Sequence, residues 1–112
     1  MTESMLVAQI IRALYPWVEL YRANAGCVKT QSGTYFRGLP KGFSDLFGVL
    51  PADKCRYGYA LPVFIECKIG DGHLRPEQEK FLCKMRDRGA IVGVAYTVDQ
   101  AVQIVRPHLV NG

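Results

Sequence analysis

The chain has 112 residues, of which 49% are hydrophobic and 21% are charged, a composition typical of one globular domain rather than of a disordered segment. The formal net charge of +4 is compatible with a polyanionic partner such as nucleic acid. No apolar run approaches the roughly 18 residues that a membrane-spanning helix needs, and the acidic N-terminus lacks a signal-peptide pattern. We therefore expect a single cytoplasmic domain over residues 1–112 that makes no contact with a membrane.

The cysteines do not have the spacing of a metal or disulfide framework. The chain has four of them: Cys27, Cys55, Cys67 and Cys83. They form no Cys-x-x-Cys pair, and the two histidines do not complete a zinc pattern. Disulfides are rare in cytosolic proteins, so we expect free and mostly buried thiols. A cysteine–histidine nucleophile pair stays open, although no local pattern supports it.

The N-terminal segment predicts a helix over residues 3–14, because apolar residues recur at helical spacing from Leu6 to Leu14. Thr2 is the expected N-cap. Glu3 lies on the same side of the helix as the apolar stripe. It is either a first-turn carboxylate favoured by the helix dipole or part of a functional site.

The next segments predict a strand over residues 17–25 and then a poorly patterned loop over 27–42. The loop combines aromatic residues with Lys29, Arg37 and Lys41. Such a loop can follow a phosphate backbone and stack on bases, or it can be an ordinary solvated surface loop.

Two further strands are predicted over residues 44–50 and 61–68. A loop of about ten residues joins them, which favours an antiparallel hairpin. If Leu50 pairs with Leu61, then Asp45 pairs with Glu66. Cross-strand partners lie on the same face of a sheet, so the two carboxylates would meet there.

Two opposed carboxylates destabilise a sheet unless something neutralises them. A divalent cation does so, and hard oxygen ligands suit Mg²⁺ or Mn²⁺. Lys68 shares a face with Glu66, because strand side chains alternate. Its ammonium group alone could also offset one negative charge, and this purely structural interpretation stays open.

The C-terminal half predicts a helix over residues 76–88, a buried strand over 90–97 and a helix over 98–105. In the first of these helices, Gln78 lies one turn ahead of the apolar stripe, so its amide faces the sheet near the carboxylates. A glutamine at the edge of a buried helix face would give the same pattern. We expect the chain to end its fold at Pro107.

An Asp on one strand followed by Glu-x-Lys on the next resembles the PD-(D/E)xK nuclease superfamily. The flanking residues and the element order are similar to those of the VRR-NUC domain, the virus-type replication-repair nuclease module. Four segments carry the resemblance, namely 42–46 (GFSDL), 64–68 (FIECK), 75–78 (RPEQ) and 89–92 (GAIV). Phe43 and Ser44 stand where the superfamily name has a proline, and Arg75 replaces the usual Ser or Thr helix cap.

The resemblance implies an α/β restriction-endonuclease-like fold, with a central mixed β-sheet flanked by helices. It also implies roles for individual residues. Four residues would bind Mg²⁺ or Mn²⁺, namely Asp45, Glu66, Glu3 and, through its backbone carbonyl, Cys67. Lys68 would orient or help deprotonate the attacking water, and Gln78 would position Lys68 or a nearby water. DNA binding would involve the following residues: Lys29, Arg37, Lys41, Ser44 and Arg75.

The implied activity is hydrolysis of phosphodiester bonds in DNA by a structure-selective endonuclease. Small stand-alone members of the family resemble phage or prophage proteins and tend to be homodimers that act on branched DNA such as four-way junctions, in the bacterial host cytoplasm. Two alternatives stay open, namely a non-cleaving DNA-binding module of the same fold and an RNA-directed nuclease.

Overall fold

The computed structural model describes residues 1–23, 27–29 and 31–111, with the backbone alone for residues 27–29 and 35–37. Its helices are α1 (Glu3–Leu14), α2 (Pro76–Asp87) and α3 (Val98–Val105), followed by a 3-10 turn at Arg106–His108. Its strands are β1 (Glu19–Arg22), β2 (Cys27–Lys29), β3 (Tyr35–Arg37), β4 (Leu46–Leu50), β5 (Leu61–Cys67) and β6 (Ile91–Ala95). In the described part of the chain, no helix is long and apolar enough to cross a lipid bilayer.

Four of these strands form one mixed sheet in the order β1-β4-β5-β6. Strands β4 and β5 pair antiparallel with Leu50 opposite Leu61 and Leu46 opposite Ile65. This is the predicted hairpin register, and it is confirmed. Strand β6 runs parallel to β5, and helix α2 makes the crossover between them. The carboxyl ends of β5 and β6 therefore lie at the same edge of the sheet.

Helices cover both faces of this sheet. The main apolar core joins α1 and α3 to the sheet face that includes Val63, Ile65 and Cys67, all fully buried. On the other face, aromatic rings connect the sheet to α2, with Phe64 and Phe81 5.4 Å apart between ring centroids. Because side chains alternate along a strand, Glu66 belongs to the α2 face. The predicted α/β architecture, a mixed sheet flanked by helices, is confirmed.

Some element boundaries differ from those predicted. Strand β1 covers only Glu19–Arg22, and β4 begins at Leu46, so Ser44 and Asp45 precede the strand. The segment 27–42, predicted to be a loop, contains an antiparallel ribbon of β2 and β3. The prediction of a loop without strands was therefore wrong. Each strand of this ribbon has only three residues, too few for a recognisable alternation.

Pro107 does not end the fold, contrary to the prediction. It lies within the 3-10 turn, and the chain continues to a β-bridge between Leu109 and the buried Cys55. The backbone N–H of Val110 also donates to the Lys54 carbonyl oxygen at 2.9 Å. The C-terminal segment therefore packs against the loop between β4 and β5.

The close approach of β1 to β4 requires a glycine at position 48. A Cβ atom on Gly48 would overlap the backbone carbonyl of Glu19 on the neighbouring strand. We expect Gly48→Ala to lower the free energy of unfolding by about 2–3 kcal/mol, because a backbone group cannot move aside as a side chain can. Urea denaturation would measure this loss.

Gly58→Ala is the matched control, since no atom lies within 4 Å of the added Cβ. Its positive φ of 79° predicts a loss of only about 1 kcal/mol. Equal losses for the two variants would contradict the proposed steric cause.

Candidate active site

Asp45 and Glu66 meet at the open end of the β4–β5 hairpin. Asp45 immediately precedes β4, and its backbone carbonyl accepts a hydrogen bond from the N–H of Ala23 at 2.8 Å. Its side-chain Oδ2 accepts a second bond from the backbone N–H of Cys67 at 2.9 Å. These two contacts hold the Asp45 carboxylate across the end of β5, beside Glu66.

Glu66 is almost completely buried, with 1% of its surface exposed. Its Oε2 atom is buried and has no hydrogen-bond partner among the described residues. Burial, followed by the neighbouring Asp45 carboxyl, raises the pKa of Glu66 well above its ordinary range, and Glu3 raises it further. Lys68 acts in the opposite direction but does not cancel the rise. Because no positive group of the protein fully offsets the two neighbouring carboxyl groups, the metal-free site keeps a proton on Glu66 well above the ordinary carboxyl range.

Lys68 follows β5 directly and is partly exposed. Its backbone N–H donates to the Ala95 carbonyl at 3.1 Å, which continues the pairing of β5 with β6 by one residue. A Cβ built on Gly72 would lie 3.5 Å from the Lys68 Cδ atom, so the turn passes closely over the lysine stem. The hydroxyl of Tyr96 donates to the Gly72 carbonyl at 2.7 Å. Tyr96 thus fixes the turn that covers Lys68.

Sequence reasoning missed Tyr96. The register of β5 with β6 pairs Cys67 with Ala95, which places Tyr96 beside Lys68 one residue further on. The sequence therefore contained a signal for this residue. Finding it required the register of two parallel strands separated by a whole helix.

Cys67 is completely buried on the opposite side of β5 from Glu66. Burial, and then the negative charges of Asp45, Glu66 and Glu3, raise the pKa of the Cys67 thiol to about 12. The thiol therefore stays protonated at neutral pH. Cys55 and Cys83 are also free thiols, whereas the side chain of Cys27 lies outside the described residues.

Gln78 faces the site from the first turn of α2 and is only 5% exposed. Its Oε1 atom accepts a hydrogen bond from the backbone N–H of Arg75 at 2.9 Å. Since Arg75 offers no side-chain acceptor, this bond is the cap of the helix start. The expected weak capping is thus partly compensated, and the carbonyl end of the Gln78 amide is committed to the helix.

A cleft of about 310 Å³ opens beside Asp45. It is lined by eight residues: Ala23, Lys41, Gly42, Phe43, Ser44, Asp45, Arg75 and Gln78. Lys41 and Arg75 stand at its mouth with largely exposed side chains, 3.9 and 3.7 Å from the same Glu77 oxygen. Because these two cations share one carboxylate, the rim of the cleft carries a net positive charge, and the Asp45 carboxylate lies within this rim.

Gly42 brings the loop before Asp45 against α2. Its φ is +89°, and a Cβ atom there would overlap the Glu77 backbone carbonyl. This contact requires a glycine for two reasons, namely the left-handed backbone and the close approach. It also holds the two walls of the cleft together.

The remaining predicted residues lie at different depths. Ser44 is 1% exposed, and its Oγ donates to the Leu46 carbonyl at 2.8 Å, so this hydroxyl holds the loop backbone. Glu3 is partly exposed in the first turn of α1, where its charge acts on Glu66. The side chains of Lys29 and Arg37 lie outside the described residues. The roles predicted for these four residues stay predictions.

The donors present suit a hard divalent cation better than a soft one. Over the described ranges, no three His, Cys, Asp or Glu side chains are grouped closely enough to hold a metal ion. Asp45 and Glu66 are the two side chains that could hold a cation here, and its further ligands would then be backbone, water or phosphate oxygens. The unpartnered buried oxygen of Glu66 is the kind of atom that a cation satisfies.

The family model described as "VRR-NUC domain" matches residues 21–99, well over half of the chain. The match begins within β1, ends at the start of α3, and includes Asp45, Glu66, Lys68 and Gln78. Searches of curated proteins and of solved structures found no significant match.

The buried Glu66 carboxylate should reduce the stability of the metal-free protein. In the unfolded chain Glu66 ionises at its ordinary pKa, whereas folding raises this pKa. Stability is therefore lost as the pH rises above the ordinary carboxyl range. We expect Glu66→Gln to raise the free energy of unfolding in EDTA by about 1–3 kcal/mol at about pH 8, with little change at about pH 5.

Glu79→Gln is the control, because Glu79 is exposed on α2 and its substitution should change stability by less than about 1 kcal/mol. Urea denaturation at the two pH values gives both comparisons. A Glu66→Gln variant less stable than the wild type at pH 8 would contradict an unsatisfied carboxylate at this position.

Proposed function

Because this chain belongs to the VRR-NUC domain family, a family of nucleases of the PD-(D/E)xK type, we propose that it is a metal-dependent DNA endonuclease. We propose that it hydrolyses phosphodiester bonds and selects branched DNA such as four-way junctions. The observation that carries the proposal is the buried, unpartnered oxygen of Glu66 beside the Asp45 carboxylate. A protein that only bound DNA would gain nothing from this repulsion near a phosphate.

In this proposal Asp45 and Glu66 would hold Mg²⁺ or Mn²⁺, with the backbone carbonyl of Cys67 as a further oxygen donor, and the Glu3 carboxylate would help to hold a second ion or a metal-bound water. Bound there, the metal ion would polarise the phosphoryl group and make a neighbouring water more acidic. The Cys67 N–H engages the Oδ2 atom of Asp45 and so fixes the orientation of its carboxylate, which supports this role.

Lys68 orients or helps to deprotonate the attacking water and offsets the charge of the scissile phosphate. The turn closed by Tyr96 and Gly72 restricts the aliphatic part of the Lys68 side chain. This restriction lowers the entropy cost of bringing the ammonium group into the reactive arrangement. The Oε1 atom of Gln78 is already engaged by Arg75. Its amide N–H₂ group is therefore the part that contacts a water near Lys68. Hydrolysis would leave a 5′-phosphate.

The substrate backbone approaches through the positive rim of the cleft. Lys41 and Arg75 are exposed and share a single carboxylate, so incoming phosphates can compete for both cations. Lys29 and Arg37 precede this rim in the chain and are assigned to the same backbone contact. Ser44 supports the contact by holding the loop between Lys41 and Asp45.

A homodimer would suit a branched substrate. Two copies related by a two-fold axis present two cleavage sites in a symmetric arrangement, as paired incisions in a four-way junction require. A phage or prophage role in replication and repair would be consistent with this substrate. Sedimentation with and without a synthetic junction would measure the oligomeric state directly.

Labelled four-way junction, flap, duplex and single-stranded substrates test the activity. We expect the wild-type protein to cleave the junction with Mg²⁺ or Mn²⁺ and not with EDTA. Asp45→Asn keeps a side-chain acceptor for the Cys67 N–H but removes the charge that a cation needs. We expect this variant and Lys68→Ala to lose roughly 10³-fold or more in cleavage rate.

Lys80→Ala is the control for Lys68→Ala, because Lys80 is an exposed lysine on α2, and its rate should stay within about twofold of wild type. Absence of metal-dependent cleavage on every DNA substrate would overturn the proposed activity. Cleavage of RNA in its place would assign the site to an RNA-directed nuclease. Wild-type rates in Asp45→Asn would overturn the residue assignment alone.

Substitution of Arg75 tests the DNA path separately from the chemistry. We expect Arg75→Ala to weaken junction binding in EDTA and to reduce the slope of log affinity against log salt by about one. The helix start should survive, because its cap uses the backbone N–H of Arg75. Fluorescence anisotropy over a salt series would measure both quantities.

Arg86→Ala is a closely matched control. The two arginine side chains are 67% and 62% exposed, and each lies near a carboxylate of α2. Arg86, however, is in the last turn of the helix, away from the cleft. Equal effects of the two substitutions would argue against a DNA path through the cleft mouth.

A further inference from the structure

An exposed pair of tyrosines lies at the end of β5 opposite the carboxylates. Tyr57 is 48% exposed and Tyr59 57%. Their rings are stacked, with centroids 5.8 Å apart and an angle of 25° between the planes. Tyr57 also contacts the edge of the His108 ring, at 5.9 Å between centroids. Large aromatic surfaces kept in water in this way are typical of binding sites.

The loop that carries these rings is held firmly by the C-terminal segment. The backbone N–H of Arg56 donates to the His108 carbonyl at 2.9 Å, and the Arg56 guanidinium donates to the Pro107 carbonyl at 3.1 Å. The Tyr57 hydroxyl lies 3.4 Å from the Nδ1 atom of His108. The tyrosines are therefore preorganised, and a ligand that stacks on them loses little entropy in ordering them.

Three basic residues lie on the loop of the tyrosine pair or on the turn that packs against this loop. Lys54 and Arg56 lie on the same loop, and Arg106 begins the 3-10 turn that packs against it. Among the described residues, none of these three forms an ion pair. We call the five residues Lys54, Arg56, Tyr57, Tyr59 and Arg106 the tyrosine patch. It combines exposed rings with three cations and one nearby acid, Asp53, which lines the same cavity as Lys54 and Arg106.

We propose that the tyrosine patch binds an unpaired nucleic-acid strand. A base stacks on the outer ring, Tyr59, and extends the stack that Tyr59 forms with Tyr57. The flanking phosphates approach Lys54 and the two arginines. The choice of nucleic acid as the ligand rests on the proposed function.

Charge also argues against a second copy of this chain as the ligand. A two-fold interface places the same patch against itself, so the cations of one copy would face those of the other. Like charges in that position repel across the interface. A polyanion neutralises them instead and releases its own counterions.

The position of the patch gives it a role separate from cleavage. Strand β5 separates it from Glu66, and the seven residues of that strand correspond to about 20 Å at roughly 3.3 Å per residue. This is the length of about six nucleotides of a stacked strand. The patch would therefore hold a strand that leaves the duplex about half a helical turn from the scissile bond.

The test is the binding of a fluorescent oligothymidylate in EDTA, where no metal-dependent cleavage can interfere. We expect the double variant Tyr57→Ala, Tyr59→Ala to bind it roughly 5- to 100-fold more weakly than wild type. The matched variant Tyr57→Phe, Tyr59→Phe keeps both rings and should bind within about twofold of wild type. Thermal unfolding of the variants verifies that they fold.

An oligonucleotide containing 5-iodouracil should crosslink to Tyr59 on irradiation, with the site located by mass spectrometry. Unchanged affinity of the alanine variant, or crosslinks confined to other segments, would overturn the proposal. A changed sedimentation coefficient with unchanged affinity would instead assign the patch to a protein interface. Binding at the patch by a protein that cleaves nothing would overturn the nuclease activity alone.

Discussion

The repulsion between the Asp45 and Glu66 carboxylates is the constraint on which the arrangement of this end of the molecule depends. The hairpin register brings the two groups together, and the apolar surroundings of Glu66 prevent water from screening them. Lys68 offsets only part of the repulsion, so in the metal-free protein it is a proton on Glu66 that relieves it, as the raised pKa of Glu66 implies. A folded chain that keeps such a pair is less stable in the absence of metal. The same oxygens that repel one another can share a cation, so the loss of stability and the ability to bind metal have one cause.

The surrounding contacts can be understood as ways of keeping this pair in place. Gly42 joins the loop before Asp45 to the start of α2, and Tyr96 joins the end of β6 to the turn after Lys68. Both contacts involve backbone groups, which cannot reorient as long side chains do. The Gly42 contact therefore fixes the separation of the cleft walls, while the exposed Lys41 and Arg75 at its mouth share the single Glu77 carboxylate.

Much of this architecture could be predicted from local patterns. The hairpin register followed from two strands and the connection between them. It correctly placed Asp45 near Glu66, although the paired positions end at Leu46 and Ile65, one residue short of the predicted pair. The short ribbon of β2 and β3 was missed because three-residue strands carry almost no periodic signal. Tyr96 was missed for another reason, since its contact with Gly72 depends on a parallel pairing that forms across a whole helix. Hydrogen bonds of this kind are determined by tertiary structure, and no local pattern encodes them.

The alternation of side chains along β5 also bears on which ion the site accepts. Glu66 and Cys67 are neighbours in the chain, yet the Glu66 carboxyl group lies beside Asp45 and the Cys67 side chain lies in the apolar core. The Cys67 thiol, with its pKa raised to about 12, stays protonated at neutral pH, and it lies on the opposite side of the strand from the Glu66 carboxyl group. The strand thus separates a hard donor from a soft one by a single peptide unit. The pleat in this way keeps the sulfur atom apart from the pair of carboxyl groups, and this separation depends on the backbone of the strand rather than on any one side chain.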